Sequence, residues 1–497
     1  MFKNFPGYKL LEKIQKSNSH KRERKLPLNA IKLIFIVAIT SVIALLPTES
    51  FGIEGLTVVH QRIISLFVFA ALMWLTEAMP SWVTSMIVVT IMLLTVSTSA
   101  FNFLRPEDGA GLVPFKSIMA CFANPTIMLF IGGFVLAIGL TKVKLDVALA
   151  RVLLKPFGTR SEIVLLGFIL VTAIFSAFVS NTATAAMMLA FLTPVLKSLP
   201  ADGKGRIALA LAIPVGANLG GMITPIGTPP NMIALDYLSS QGMGISFVDW
   251  TIKMAPFVIV LLLLSWLLLR VLFPFKQKHI KIEIEGDIKW DRHTWSVVAA
   301  FVITIFMWMF GTDLWGVDTN VVAMIPIAIF CATGILTRRD LEEINWSVLW
   351  MVAGGFALGV ALNYKDASSA SLSSLIVNTV PFDNFSPLVV MILAGVICFG
   401  FSNFISHSAA TSLLVPVLGV VAGGLGSSLD SFGGPQAMLV GIAIASSVSM
   451  ILPISTPPNA IAHSTGFIEQ KDMMKVGIII GLMGLALGYA MLIFIGF

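Results

Sequence analysis

Two short polar runs carry the chemistry of this chain. Ser180-Asn181-Thr182 stands between two apolar arms within 161–199, and Ser406-His407-Ser408 stands in the matching place of the second half. Two further stretches, Thr228-Pro229-Pro230-Asn231 and Thr456-Pro457-Pro458-Asn459, interrupt otherwise apolar segments. Ser, Asn and Thr after a turn are natural helix N-caps. Prolines belong in the first helical turn, so Thr228 and Thr456 read as N-caps too. Four such breaks aim four positive helix ends inward. Together they suit a small anion, held by amides and hydroxyls with no buried Arg or Lys. Carbonyls and side-chain oxygens freed by the breaks near Ser176, Ser180, Asn181 and Gly227 suit a hard cation such as sodium. Capping and kinking alone explain one break well. They explain four paired breaks poorly.

Irregular backbone at membrane depth survives only when buried in protein or lining a cavity, and the composition places these breaks in a membrane. The 497 residues are 57% hydrophobic and 12% charged, with a mean hydropathy of +0.93. Repeated apolar stretches of about 20 residues read as transmembrane helices. Cys121, Cys331 and Cys398 are far apart in apolar segments and suggest neither a disulfide framework nor a metal cluster. The net charge of +6 is no nucleic-acid signal, because its placement follows loop topology. Ser406 and His407 are adjacent but lack a third, orienting group, so the chain does not read as an enzyme. No large soluble domain is present to signal.

Taken in order, residues 1–29 form a basic cytoplasmic tail. Helices 1–4 (30–160) follow, then a hairpin, a broken helix 5 and helix 6 (161–275). A charged cytoplasmic loop (276–292) leads to helices 7–9 (293–385), and a second hairpin, a broken helix 10 and helix 11 close the chain (386–497). Basic clusters fall on one side throughout, which predicts a cytoplasmic N-terminus and an outer C-terminus. Both flanks of the 161–199 segment are basic or polar, so it is expected to re-enter rather than cross. The expectation is an all-α polytopic membrane protein with eleven transmembrane helices and two re-entrant hairpins.

The halves repeat. Gly132-Gly133-Phe134 matches Gly354-Gly355-Phe356, the polar tips match, and the Thr-Pro-Pro-Asn runs match, at offsets of 222, 226 and 228 residues. Ser176 and Ser402 each precede a tip by about a turn. Five predicted crossings separate the copies, which makes the repeat inverted, as in many secondary transporters. Glu77 reads as an interfacial charge, Lys365-Asp366 as a solvated loop pair, and His463 as a packing residue. Trp74, Trp82, Trp250, Trp266, Trp295 and Trp308 read as interface anchors or packing.

These residues resemble the divalent anion/sodium symporter family. The paired tips, each followed by a Thr-Pro-Pro-Asn break, carry the resemblance. So does the stretch from Ser446 to Ile461, with Met450 where an aromatic is usual. The resemblance spans all but the tail. It implies a homodimer in the plasma (inner) membrane, with a scaffold (helices 1–4 and 7–9), a moving part, and elevator-type alternating access. Typical substrates are small divalent anions: dicarboxylates such as succinate or malate, citrate, or sulfate. It implies sodium as coupling ion at Ser176, Ser180, Asn181 and Gly227, and substrate contacts from Asn181, Thr182, Thr228, His407, Ser408 and Thr456. A second sodium site at Ser402, Ile405, His407 and Ser455 is put in question by His407, which stands where the family has Asn. A neutral imidazole is a poor ligand for an oxygen-seeking cation, and a protonated one repels it. His407 is therefore expected either to replace that sodium or to alter substrate choice.

Overall fold

The computed structural model describes residues 26–497 other than 108, 201–202 and 281–288. The basic tail through Lys25 and part of the 276–292 loop lie outside the described residues. Apart from two isolated β-bridges, Ser97–Val113 and Arg160–His279, the regular structure among the described residues is helical.

Helices α1 (Leu26–Leu45), α2 (Val58–Thr76), α3 (Ser81–Thr95), α4 (Phe115–Ala120) and α5 (Pro125–Lys142) open the first half, and α6 (Leu145–Leu154) follows. Then come α7 (Ser161–Phe178), α8 (Asn181–Ser198), α9 (Lys204–Gly220), α10 (Pro229–Ser240) and α11 (Phe247–Leu272). The second half runs α12 (Arg292–Trp315), α13 (Thr319–Val322), α14 (Met324–Ala332), α15 (Arg338–Glu342), α16 (Trp346–Asn363) and α17 (Leu372–Thr379). It ends with α18 (Pro387–Phe404), α19 (His407–Leu425), α20 (Gly434–Ser447), α21 (Pro457–Ser464) and α22 (Gln470–Phe494). Among the described residues nine helices are long and apolar enough to cross a membrane. Those nine include α7, α18 and α19, the arms expected to be re-entrant, while α3 and α20 are shorter apolar helices.

Two connecting segments are partly helical. α6 buries Leu145, Ala150 and Leu154 on one face, and α17 buries Leu372 after its N-cap Ser371. They follow the two Gly-Gly-Phe helices α5 and α16, so they extend the repeat. The helical stretch after α12 is split by a turn at Ala323 into α13 and α14.

The core centres on the two helices that precede the breaks. α9 is buried at every residue from Ala208 to Gly220, and α20 at every residue from Ala437 to Ser447. A helix that is apolar on all sides has no solvent face and belongs inside. α9 lies against α7, and a Cβ at Gly220 would meet Ala173 O at 2.4 Å, so only glycine admits the approach. The first glycine of each Gly-Gly-Phe run permits a close helix contact: Gly132 abuts Ala323 and Gly354 abuts Ser85. Trp74, Trp250 and Trp308 are buried packing residues, whereas Trp82 and Trp295 are exposed. Glu77 caps the end of α2 with φ 47°. Asp366 corrects the solvated-pair reading. Its carboxylate accepts from the backbone N–H groups of Gly111 (2.8 Å) and Ser368 (2.8 Å) and clips two loops together. Burial pushes this carboxyl up, but those N–H bonds outweigh it and hold the group below its ordinary value.

Candidate functional site

Each tip is a two-residue extended step between helices. α7 ends at Phe178, Val179 and Ser180 are extended, and the Ser180 hydroxyl accepts from Ala183 N (3.3 Å) to start α8. α18 ends at Phe404, and Ser406 caps α19 through Ala409 N (3.2 Å) in the same way. Both tips therefore present helix N-termini, as the residue types predict. Asn181, Thr182, Ser406 and Ser408 are half-buried, and His407 is buried.

The two breaks share one device. Asn231 donates to Gly221 O (3.1 Å) and Thr224 O (2.8 Å), and Asn459 donates to Met450 O (2.8 Å) and Leu452 O (3.1 Å). The Asn of each Thr-Pro-Pro-Asn run thus reaches back and ties up carbonyls of the unwound segment, which would otherwise be orphaned. Trp250 adds a bond to Met222 O (3.1 Å). Thr456 caps α21 through Asn459 N (3.2 Å). Thr228 occupies the matching position, but its hydroxyl makes no capping bond, so only one of the two expected threonine caps forms. Asn218 joins the halves directly, donating to Thr456 Oγ1 (3.2 Å) and Asn459 Oδ1 (3.1 Å). The packing is crossed: α8 lies against α21 and α19 against α10, so each tip helix leans on the other half's break.

At the first tip Ser176, Asn181 and Gly227 come together as expected, and Ala217 joins them. One end of the Asn181 carboxamide lies 2.7 Å from Ser176 Oγ, 3.2 Å from Ala217 O and 3.1 Å from Gly227 O. Set nitrogen-inward, it donates to all three. Set oxygen-inward, it completes a group of four oxygens with one hydroxyl hydrogen among them, an arrangement that needs a cation. Ser180 does not join the cluster through a hydrogen bond, since its hydroxyl is spent on the cap. The cluster depends on close approach. A Cβ at Gly221 would meet Asn181 Oδ1 at 2.4 Å, and one at Gly227 would meet Gly221 O at 2.4 Å.

The second tip is built differently. His407 Nε2 lies 2.6 Å from Ser449 O. A carbonyl only accepts, so that nitrogen carries the proton. Ser446 Oγ donates to His407 O (3.0 Å), and Ser455 Oγ donates to Asn403 O (3.1 Å). Asn403, unremarked in the sequence, accepts from Ile451 N (2.9 Å) and donates to Phe399 O (2.7 Å). Ser402 is buried beside Cys398, 3.8 Å from its sulfur. Ser402, His407 and Ser455 are thus held in donor bonds and sulfur contacts, not in an oxygen cage like that at Asn181. His463 lies beyond the break, half-buried.

A cavity of about 1200 Å³ lies apart from these tips, between α5, α10, α16 and α19, and none of the site residues lines it.

The fold and the two broken, paired half-helices define a polytopic membrane transporter. The sequence profile of the sodium:sulfate symporter transmembrane region matches residues 28–496, and the chain belongs to that family. It is 30% identical over 469 residues to an uncharacterized transporter of Haemophilus influenzae, covering 91% of this chain and 94% of that one. It is 27% identical over 495 residues to the sodium-dependent dicarboxylate transporter SdcS of Staphylococcus aureus, covering 92% and 90%. It is 28% identical to the inorganic phosphate transporter PHO87 of Saccharomyces cerevisiae, covering 90% of this chain but 47% of the yeast protein. Its fold resembles that of the Alcanivorax borkumensis YdaH transporter, with a TM-score of 0.53 at 14% identity over 88% of this chain and 99% of that one.

Proposed function

We propose that this protein is a secondary active transporter that carries a small divalent anion, a di- or tricarboxylate such as succinate, malate or citrate, together with sodium. The carrying observation is the Asn181 carboxamide set among Ser176 Oγ, Ala217 O and Gly227 O. Turning that amide oxygen-inward makes a sodium site, and emptying the site lets it turn back and satisfy itself. Sodium thereby fixes the start of α8, where Asn181 and Thr182 meet the anion. Thr228, His407, Ser408 and Thr456 complete the anion site from the other helix N-termini. The segments 161–199 and 386–420 act as re-entrant hairpins. They move with α9–α11 and α20–α22 against the scaffold, elevator-fashion, within a homodimer of the inner membrane whose N-terminus is cytoplasmic.

His407 favours a second reading of the coupling. Its N–H already occupies Ser449 O, so the second tip is braced without a cation. One sodium, bound at the first tip, then suffices. In the limit the protein exchanges anions, sulfate among them, without sodium. Counterflow in proteoliposomes against unlabelled succinate, malate, citrate, sulfate and phosphate, with and without sodium, separates these. Sodium-dependent competition by dicarboxylates supports the main reading. Competition that is indifferent to sodium moves the assignment to exchange.

A further inference from the structure

The hydrogen bonds that shape the two breaks run within the halves proposed to move. Asp236 is different. It lies on α10, just downstream of the first break, and accepts from Thr126 Oγ1 of the scaffold helix α5 at 2.8 Å. Asn124, the N-cap of α5, stands beside the same carboxylate, and its side-chain oxygen accepts from Thr126 N (2.7 Å). The carboxylate is therefore docked on the N-terminus of an 18-residue helix, where the helix dipole and the capping donors favour negative charge. It borders the cavity of about 1200 Å³ between the two parts. Buried Ser412 of α19 lines that cavity too, and its hydroxyl has no partner in the structure.

Among the described residues no ion pair joins Asp236 to a Lys, Arg or His. Among the described residues no Lys, Arg or His lines the cavity. The titratable groups that share it are Cys121, Tyr237, Asp318 and Tyr364. α16 and α20, which pack on α10, carry no titratable side chain. α19 carries only His407, at its start, and α5 only Lys142, at its far end. An ionised carboxylate pulled away from the α5 terminus has no cation to go to, and a bare charge at membrane depth is costly. A proton solves this.

We infer that Asp236 is a proton-binding site of the transport cycle. Ionised, it docks α10 on the N-terminus of α5. Protonated, it releases α10 and travels neutral. The inference rests on the reading above, in which α10 moves against α5. The sign follows: acid speeds the movement and alkali slows it.

The test is uptake of labelled succinate and of labelled sulfate by proteoliposomes under an inward sodium gradient, between pH 6.5 and 8.5, where sulfate keeps its charge. Wild type is expected to slow severalfold as pH rises. Asp236→Asn keeps an acceptor for Thr126 but cannot ionise, and is expected to be flat with pH at or above the wild-type rate of pH 6.5. His407→Asn is expected to keep the wild-type slope, which separates the two groups. Sodium-driven uptake in wild type that is flat with pH overturns the proton site and leaves the transport reading standing. So does a pH slope that persists in Asp236→Asn. Absence of any uptake by wild type overturns both. The wild-type profile decides even where a variant does not fold.

Discussion

His407 Nε2 donates to the carbonyl oxygen of Ser449 at 2.6 Å, and this bond makes the two tips unequal. At the repeat-related place in the first half, Gly221 O accepts from Asn231 instead, and the tip residue Asn181 is left to face oxygens. The repeat keeps the framework of the site and varies the hydrogen bonding of its tips. Replacing His407 by Asn restores an amide oxygen at the second tip. The sodium dependence of uptake is expected to steepen in His407→Asn relative to wild type, read as the slope of a sodium titration. An unchanged slope with unchanged substrate preference would remove His407 from the coupling.

The first cluster tolerates no extra atom. Gly221→Ala and Gly227→Ala each place a Cβ within 2.4 Å of an oxygen that the cluster or its neighbouring backbone needs. Each is expected to lower stability by about 1–3 kcal/mol and to raise the sodium concentration for half-maximal uptake. Thermal melting with and without sodium checks this. The sodium-induced rise in Tm shrinks in both variants, while Gly133→Ala, which meets nothing within 4 Å, keeps it.

The bridge from Asn218 to Thr456 and Asn459 couples the two breaks. Asn218→Ala leaves a buried acceptor unpaired, a loss of about 1–3 kcal/mol. Apparent anion affinity is expected to fall, because Thr456 loses its anchor. Sodium-stabilised Tm without anion is expected to survive. Loss of both signals together would place Asn218 in the fold rather than in the coupling of the halves.

Away from the tips, Lys142 Nζ pairs with buried Asp340 at 2.5 Å, and Asp340 also caps α15 through Thr337. Burial raises the Asp340 carboxyl, yet the Lys142 and Thr337 bonds outweigh it and leave the group below its ordinary value. A depressed carboxylate contributes stability above its unfolded value of about 3.9, and loses it as pH falls through the folded value. Asp340→Asn is expected to lower stability at pH 7 by about 1.5–3 kcal/mol. The wild-type and variant melting curves then converge below about pH 4.

Much of this was legible in the residues. Ser180 and Ser406 are caps because hydroxyls after an extended step have that use. The breaks are where the prolines put them, and the repeat follows from spacing. Other parts were not legible. Asn403 and Asn218 sit in helical runs where a polar side chain has no local signature, and their partners are about 50 and 240 residues away. Ala217 contributes only a carbonyl, which no side chain announces. Thr228 and Thr456 are identical in local sequence, yet only Thr456 caps, because Asn218 holds it from the other half. α6 and α17 were hidden because a short helix with one buried face looks like a loop when long apolar runs set the scale.

The central claim is that sodium binds at Asn181 and drives anion uptake. Labelled succinate uptake by proteoliposomes, titrated with external sodium against choline, tests it most directly in wild type and Asn181→Ala. Wild type is expected to concentrate succinate with a sodium slope of about one, and Asn181→Ala to lose the sodium response. Uptake that runs equally well in choline, or a sodium response that survives in Asn181→Ala, would contradict the account.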